Sequence, residues 1–149
     1  MNDEKTATPE IAFPSIPAGT NVLGAGVDIE SVERVRKAVE RNGDAFLLKV
    51  FSPEEIALCR SRGAHAWESF AARWAAKEAF SKAIGTGIGA EIGFADVSVL
   101  SGARGEPLVK LSPHGAETLA KFGAAGVLVS LSHTREFAVA VIILTLQKQ

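Results

Sequence analysis

Residues 70–87 read FAARWAAKEAFSKAIGTG. The segment is rich in Ala, Glu and Lys, which are strong helix formers, and Gly85 suits a helix end. We therefore predict one long helix from about Trp67 to Ile84. With about 100° between successive residues, one face of this helix carries Ala71, Ala75, Glu78 and Lys82. The alanines on that face favour close packing against another backbone or a bulky ligand.

The segments before this helix predict a strand and two shorter helices. VLGAGVDI, which ends at Ile29, has the apolar composition of a strand. A helix is expected from Ser31 to about Asn42, because three valines recur at helical spacing and Gly43 supplies a stop. The run Ser52-Pro53-Glu54-Glu55 predicts another helix start, with Ser52 and Glu55 forming a capping box.

The segments after the long helix predict two hairpins and one more helix. ADVSVL and PLVKL are joined by the turn residues 102–105, and VLVSLS and FAVAVIILTL by residues 133–135. Ser112-Pro113 begins a helix that reaches about Phe122. Because hairpins pair strands in antiparallel fashion, the expected class is α+β, a largely antiparallel sheet with a long packed helix, rather than a doubly wound parallel sheet.

The whole chain has the size and composition of one soluble domain. It has 149 residues and a formal net charge of −1, which argues against nucleic-acid binding. Residues 1–20 have the composition of a flexible tail and lack the pattern of a signal peptide, so the domain is expected to span residues 21–149. The longest apolar run, FAVAVIILTL, has about half the length that a membrane-spanning helix needs. Cys59 is the only cysteine, which fits a cytoplasmic location.

Asp28, Glu78 and Lys82 are the first candidates for chemistry. Asp28 ends an apolar strand, where it could cap the next helix or place a carboxylate at a metal or phosphate site. Glu78 and Lys82 are four residues apart, which also fits an ordinary solvated ion pair. Together the three residues suit phosphoryl-type transfer at Mg²⁺, which prefers one or two carboxylates together with phosphate and water oxygens. Arg73 and Lys77 add positive charge on an adjacent stripe of the helix.

Other candidates lie in a loop, at a strand end and on the first helix. Gly85 and Gly87 could let the backbone approach a phosphate or nucleotide. His133 follows a strand and could be a simple turn residue, whereas His65 and His114 are interpreted as surface residues. Arg34, Lys37 and Arg41 form one exposed stripe on the first helix, either as a solvated face or as a docking strip for an acidic helical partner.

Four separated segments resemble one family, the holo-acyl-carrier-protein synthases. They are GVDIESVERV, FAARWAAKEAFSKAIGTGIG, GARGEPLVKL and SLSHTREFAVAVIIL. The resemblance extends from about residue 22 to the C-terminus with matching order and spacing. The first two segments carry the specific motifs, and the other two support them. Residues 1–20 match nothing in the family core.

The resemblance implies an enzyme that transfers 4′-phosphopantetheine from coenzyme A to a serine of an apo acyl carrier protein. It implies Mg²⁺ bound by Asp28 and Glu78, coenzyme A phosphate contacted by Lys82, and His133 near the bound coenzyme A. Arg34, Arg41 and Lys37 would meet the acidic carrier protein. Family members are compact α+β proteins, commonly homotrimers with active sites between subunits. Glu78 or a water at the metal would take the serine proton, and the residues do not choose between them.

Two other functions fit parts of this pattern. A magnesium-dependent hydrolase would cleave a nucleotide pyrophosphate with water in place of the serine. A non-catalytic module would bind carrier proteins or coenzyme A through the same surfaces. Intact Asp28, Glu78 and Lys82 count against the second alternative. The physiological carrier, from fatty-acid or polyketide synthesis, is left open.

Overall fold

The computed structural model of the chain describes Gly19 and residues 21–146. The predicted tail, residues 1–20, lies outside the described residues except for Gly19. In chain order the elements are β1 (Val22–Ser31), α1 (Val32–Val50), α2 (Pro53–Arg60), α3 (Ala66–Ala83), β2 (Val97–Ser101), β3 (Pro107–Leu111), α4 (Pro113–Lys121), β4 (Gly126–His133) and β5 (Phe137–Thr145). Two single-turn 3₁₀ helices, Gly63–His65 and Phe94–Asp96, precede α3 and β2.

The strands form two antiparallel sheets, which confirms the α+β prediction. The larger sheet has the order β1-β5-β4, and β2 pairs with β3 in a second, two-stranded sheet. Both predicted hairpins are present. The apolar C-terminal run is β5, the central strand of the larger sheet, and its inner row is buried: Ala138, Ala140, Ile142 and Leu144. No helix in residues 21–146 is long and apolar enough to cross a membrane.

The long helix α3 links two hydrophobic cores. Its first half, with Phe70 and Ala71, packs into a core formed mainly by α1 and α2. Its second half, with Ala79 and Phe80, packs against the inner face of the larger sheet and against β2. Because α3 is buried on most of its circumference, it shows no strongly amphipathic pattern.

Helix α3 lies directly on the backbone of β1. A Cβ atom at Gly26 would lie 2.0 Å from the carbonyl oxygen of Ala79, and one at Gly24 would lie 2.6 Å from that of Ala83. Only glycine fits at such an approach. The small residues on both sides therefore bring the helix close enough to the strand for side chains at their ends to meet.

Replacing Gly26 with alanine is expected to lower the free energy of unfolding by about 1–3 kcal/mol or more, because the added methyl group overlaps backbone atoms that have no room to move. Urea unfolding measures the loss. Gly89→Ala is the matched control, because a Cβ at Gly89 meets nothing within 4 Å. Equal stability of the two variants would contradict the close helix–strand contact.

Helix α1 continues past the predicted stop at Gly43. Gly43 has φ 76°, so it breaks the helix into two segments, and the second segment runs on to Val50. The prediction of a stop at Gly43 was correct, but the helix that resumes at Asp44 was missed. The three valines of the first segment, Val32, Val35 and Val39, are buried as expected.

The capping box at the start of α2 also belongs to a buried ionic network. Ser52 Oγ accepts a hydrogen bond from the Glu55 amide, and Glu55 Oε1 accepts one from the Ser52 amide, as predicted. Glu55 is fully buried, and its Oε1 lies 2.8 Å from Lys77 Nζ. Lys77 also donates to the carbonyl oxygens of Phe94 and Val97.

Arg73 and Lys77, which were predicted to add positive charge on an adjacent stripe of the helix, do not form a charged surface, because both side chains are buried structural donors. Arg73 Nε donates to the Val99 carbonyl oxygen at 2.9 Å, and its Nη1 donates to Ser69. Through these hydrogen bonds the two side chains hold β2 against α3. They satisfy backbone carbonyl groups that would otherwise be buried without donors.

The outer face of the larger sheet is apolar and exposed. This outer sheet face includes Val27 and Ile29 of β1, which are 58% and 61% exposed. In the sheet they lie opposite Val141 and Val139 of β5. Leu128 and Phe137 extend the same face. Contiguous apolar surface of this kind commonly marks an interaction site.

Candidate active site

Asp28 and Lys82 meet where β1 lies on α3. Lys82 Nζ is 2.9 Å from Asp28 Oδ1 and 3.3 Å from the Val27 carbonyl oxygen. Asp28 does not cap α1, since Ser31 does so by accepting a hydrogen bond from the Arg34 amide. Lys82 hydrogen-bonds to Asp28, and this bond raises the pKa of the ammonium group. Lys82 is therefore protonated, and its half-exposed ammonium group lies beside Asp28 at the contact between β1 and α3.

Glu78 lies one turn before Lys82 and faces the same cluster. Burial is the largest cause that raises the pKa of the Glu78 carboxyl, and the neighbouring Asp28 carboxylate raises it further. The charge of Lys82 and a hydrogen bond from Trp74 act in the opposite direction. Glu78 and Asp28 therefore repel each other in a partly desolvated environment. A bound cation would relieve this repulsion.

Glu30 is a third carboxyl group in this cluster, and it was not among the predicted site residues. Burial, contact with Asp28 and the charge of Glu78 raise its pKa to about 8, while Arg34 lowers it. The signal was present in the sequence, because residues two apart in a strand point to the same face. Glu30 and Asp28 both lie on the inner row of β1.

The cluster has a place for a cation. Asp28 Oδ2 is buried and has no hydrogen-bond partner among the described residues. Either a proton on Glu30 or a cation would satisfy this oxygen. Within residues 21–146 no group of three or more His, Cys, Asp or Glu side chains has a geometry that could hold a metal by itself. The arrangement fits Mg²⁺, which uses one or two carboxylates and takes its remaining oxygens from phosphates and waters.

A cavity of about 500 Å³ lies on another side of α3. Its walls come from the start of α3, the turn of the β2–β3 hairpin and the end of β4, and its basic side chains are Arg62, His65, Arg73 and His133. The structure thus places His133 in a cavity large enough for part of a nucleotide. Arg62 and His65 were not predicted for it, because their proximity to β4 depends on contacts that are distant in sequence.

The cavity and the carboxyl cluster lie on different sides of α3. Arg73 and Glu78 are five residues apart, which places them about 140° apart around the helix axis. On the sheet, His133 of β4 lies opposite Ala138 of β5, which in turn lies opposite Glu30 of β1. Two strand spacings, about 10 Å in all, therefore separate the two rows.

Gly85 and Gly87 lie just beyond the end of α3. Both have positive φ, 81° and 67°, and their amides bond to carbonyl oxygens of the last helical turn. Gly85 ends the helix as predicted, and Gly87 follows in the connecting loop. They do not line the cavity that contains His133, so their predicted role in binding coenzyme A stays a prediction.

Arg34, Lys37 and Arg41 are exposed along α1, as the spacing predicted. Lys37 Nζ lies 3.8 Å from Glu33 Oε1, in a weak exposed pair. The charge of Arg34 lowers the pKa of Glu30, so this end of the basic stripe borders the carboxyl cluster. His114 is exposed and contacts the Glu91 carbonyl oxygen, in agreement with its interpretation as a surface residue.

Comparison with known proteins links these features to one family. Residues 24–142 match the model of the 4′-phosphopantetheinyl transferase superfamily. Holo-[acyl-carrier-protein] synthase of Ruminiclostridium cellulolyticum is 46% identical over 121 residues, covering 81% of this chain and 90% of that protein. The enzyme of the same name from Desulforudis audaxviator is 47% identical over 119 residues, covering 80% of this chain and 89% of that protein.

Solved structures are similar as well. The holo-[acyl-carrier-protein] synthase of Helicobacter pylori in complex with coenzyme A superposes with a TM-score of 0.72 at 36% identity, over 81% of this chain and 99% of that one. The Neisseria meningitidis enzyme gives a TM-score of 0.76 at 31% identity, over 83% of this chain and 98% of that one. The shared fold, the length of the match and the level of identity show that this chain belongs to the holo-acyl-carrier-protein synthases of the 4′-phosphopantetheinyl transferase superfamily.

Proposed function

We propose that this protein transfers 4′-phosphopantetheine from coenzyme A to a serine hydroxyl of an apo acyl carrier protein, releasing adenosine 3′,5′-bisphosphate. The observation that carries the proposal is the meeting of Asp28, Glu78 and Lys82 where β1 lies on α3. The family relationship supports the same reaction.

Asp28 and Glu78 would hold Mg²⁺. The unpartnered Asp28 Oδ2 and the mutual repulsion of the two carboxylates support this assignment. When bound, the ion would neutralise charge on the pyrophosphate of coenzyme A. Glu30 adjoins the same place, and its pKa of about 8 leaves it largely protonated at neutral pH, so a bound cation would favour its ionised form.

Lys82 would offset charge on the leaving phosphate. In the reaction the serine oxygen forms a bond to the β-phosphorus of coenzyme A, and the bond from that phosphorus to the bridging oxygen breaks. Negative charge then builds on the departing bisphosphate, where a preorganised ammonium group stabilises it. Lys82 is held by Asp28 and half-exposed, so it can reach a phosphate without leaving the cluster. Glu78 is a candidate acceptor for the serine proton.

The cavity beside His133 would bind part of coenzyme A. Three of its basic side chains, Arg62, His65 and His133, would supply donors for phosphate oxygens. The coenzyme A complex of the Helicobacter pylori relative supports coenzyme A as the substrate. Lys82 would contact its phosphates from the carboxyl cluster, and Gly85 and Gly87 keep their predicted role near them.

A homotrimer would bring the two parts of the site together. Within one subunit the cavity and the carboxyl cluster point about 140° apart around α3, so one coenzyme A molecule would more readily bridge two copies. The exposed apolar outer sheet face supports such an assembly.

Ile29→Glu should give monomers in sedimentation experiments and lose activity, and an unchanged trimer would contradict this interface. We also propose a cytoplasmic location, which the proposed function and the single cysteine support.

The basic stripe of α1 would dock the acidic carrier protein. Arg41→Glu is expected to raise the KM for the carrier protein about tenfold and to leave the KM for coenzyme A unchanged, because complementary charge speeds encounter and fixes register. Steady-state kinetics at low salt measure both constants. Lys121→Glu on α4 is the control, since it makes the same charge change on another helix. Equal effects of the two variants would exclude α1 as the docking strip.

Intact-protein mass spectrometry tests the reaction itself. An apo acyl carrier protein incubated with this protein, coenzyme A and Mg²⁺ should gain the mass of one phosphopantetheine group, and EDTA should prevent the gain. Coenzyme A consumed without any gain in mass would indicate the hydrolase alternative instead. If several carrier proteins gain no mass and coenzyme A stays intact, the transferase proposal fails in favour of a binding module.

A further inference from the structure

Lys82 binds one of the two carboxylate oxygens of Asp28. Its Nζ lies 2.9 Å from Oδ1 and 3.3 Å from the Val27 carbonyl oxygen, whereas Oδ2 is buried and has no hydrogen-bond partner among the described residues. Because both oxygens belong to one carboxylate, a metal ion with Asp28 as a ligand would have the ammonium group as a close neighbour. Two positive charges at one carboxylate repel each other, so each weakens the binding of the other.

Lys82 is the member of this pair that can move. Its side chain is 52% exposed, and its ammonium group ends a flexible four-carbon stem. The Asp28 side chain is only 12% exposed, and it follows directly on the part of β1 that α3 covers at Gly26. A metal ion at Asp28 would therefore displace the ammonium group, while the carboxylate would keep its position.

Coenzyme A offers the displaced ammonium group another partner. A lysine binds phosphate oxygens as a point charge and does not need one fixed geometry. Lys82 follows Glu78 by one turn on the same face of α3, so phosphates beside the carboxyl cluster lie within its reach. The metal ion and the ammonium group would then share the negative charge of the phosphates, in addition to that of Asp28.

We propose that Lys82 competes with the metal ion for Asp28, and that coenzyme A relieves this competition by drawing the ammonium group onto a phosphate. The inference rests on the proposed function, because it takes Asp28 as a metal ligand and coenzyme A as the substrate. Metal ion and coenzyme A are then coupled through Lys82, and each raises the affinity for the other by the same factor. The protein binds the metal ion weakly alone and tightly together with its substrate.

The first test is the binding of Mn²⁺, used in place of Mg²⁺ and followed by electron paramagnetic resonance, to Lys82→Met. Methionine keeps an unbranched side chain and removes the charge. Without coenzyme A this variant should bind Mn²⁺ about tenfold more tightly than the wild type, because a charge this close to a carboxylate changes its affinity for a cation about tenfold or more. Equal or weaker binding overturns the proposal.

Two control variants separate the charge of Lys82 from other effects of the substitution. Lys82→Arg keeps the positive charge and should bind Mn²⁺ as weakly as the wild type. Lys110→Met makes the same substitution at an exposed lysine whose Nζ lies 3.8 Å from a carboxylate oxygen of Glu54, and it should also match the wild type. Tighter binding by either control would mean that the positive charge beside Asp28 is not the cause, and the proposal fails.

The same titration with saturating coenzyme A tests the coupling. No carrier protein is added, so no transfer can take place. Coenzyme A should raise the Mn²⁺ affinity of the wild type by a factor about tenfold larger than it does in Lys82→Met, because the variant has no ammonium group to displace. Equal factors in the two proteins overturn the proposal.

Asp28→Asn makes the two possible failures distinguishable. If this variant binds Mn²⁺ as well as the wild type, the metal assignment in the proposed function is wrong, and the competition with Lys82 fails with it. If Asp28→Asn loses binding while Lys82→Met binds no more tightly than the wild type, only the competition is overturned.

Discussion

Glu78→Gln is expected to lose phosphopantetheine transfer almost completely while the protein stays folded. The substitution keeps the size of the side chain but removes one of the two charges that would hold the cation. Removing a single charge-stabilising group from an active site commonly costs about 10²- to 10³-fold in rate. We expect a loss of kcat/KM of at least that size, because Asp28 would be left to bind the ion with Glu30 alone beside it. Initial rates from intact-protein mass spectrometry give the value.

The control for this variant is Glu117→Gln, which makes the same change at an exposed position on α4. Its rate should equal that of the wild type. Since burial and the Asp28 carboxylate both raise the pKa of Glu78, removing its charge relieves repulsion, and the free energy of unfolding should not fall. A Glu78→Gln protein with wild-type activity would exclude Glu78 both as a ligand and as the proton acceptor.

Lys77→Met is expected to have the largest effect on stability. The substitution would leave the Glu55 carboxylate buried without a counter-charge, and breaking a buried pair in this way costs about 3–5 kcal/mol. The carbonyl oxygens of Phe94 and Val97 would lose a donor as well. Guanidinium unfolding of the variant and the wild type measures the loss.

Lys110→Met is the matched control for the buried lysine. Lys110 also pairs with a glutamate of α2, Glu54, but at 3.8 Å and with both side chains more than half exposed. An exposed pair of this kind contributes about 0–1 kcal/mol. In the double variant Glu55→Gln/Lys77→Met the loss should be smaller than the sum of the single losses, because no charge is left unpaired. Similar losses for Lys77→Met and Lys110→Met would show that the buried pair contributes no more to the free energy of unfolding than the exposed pair.

Local patterns in the sequence predicted most elements of the fold. The capping box at Ser52 and Glu55, the glycine at the end of α3 and the turns of both hairpins are signals carried by a few neighbouring residues. Gly43 shows the limit of such signals. It ends one helical segment as predicted, but nothing near it indicated that packing of Leu47 and Val50 would start the next segment at once.

The residues of the candidate site were proposed from the sequence, but the contacts between them were not. Spacing placed Glu78 and Lys82 on one helix face, yet the partner of Lys82 is Asp28, 54 residues earlier in the chain. Lys77 was expected to add positive charge on an adjacent stripe of the helix. Its burial was not predicted, because its partner Glu55 lies 22 residues away in the chain. Each of these contacts depends on how α3 lies against other elements, and helical periodicity carries no information about that.

The burial of α3 between two cores has a consequence for hydrogen exchange. Amides in a helix that is covered on nearly all sides exchange with solvent only when the whole domain opens. Among the described residues, the segment that carries Glu78 and Lys82 should thus be one of the last to open. Slow exchange at Ala75 and Ala79 should persist until the free energy of global unfolding is reached, so the candidate site residues on α3 should keep their spacing as long as the protein is folded.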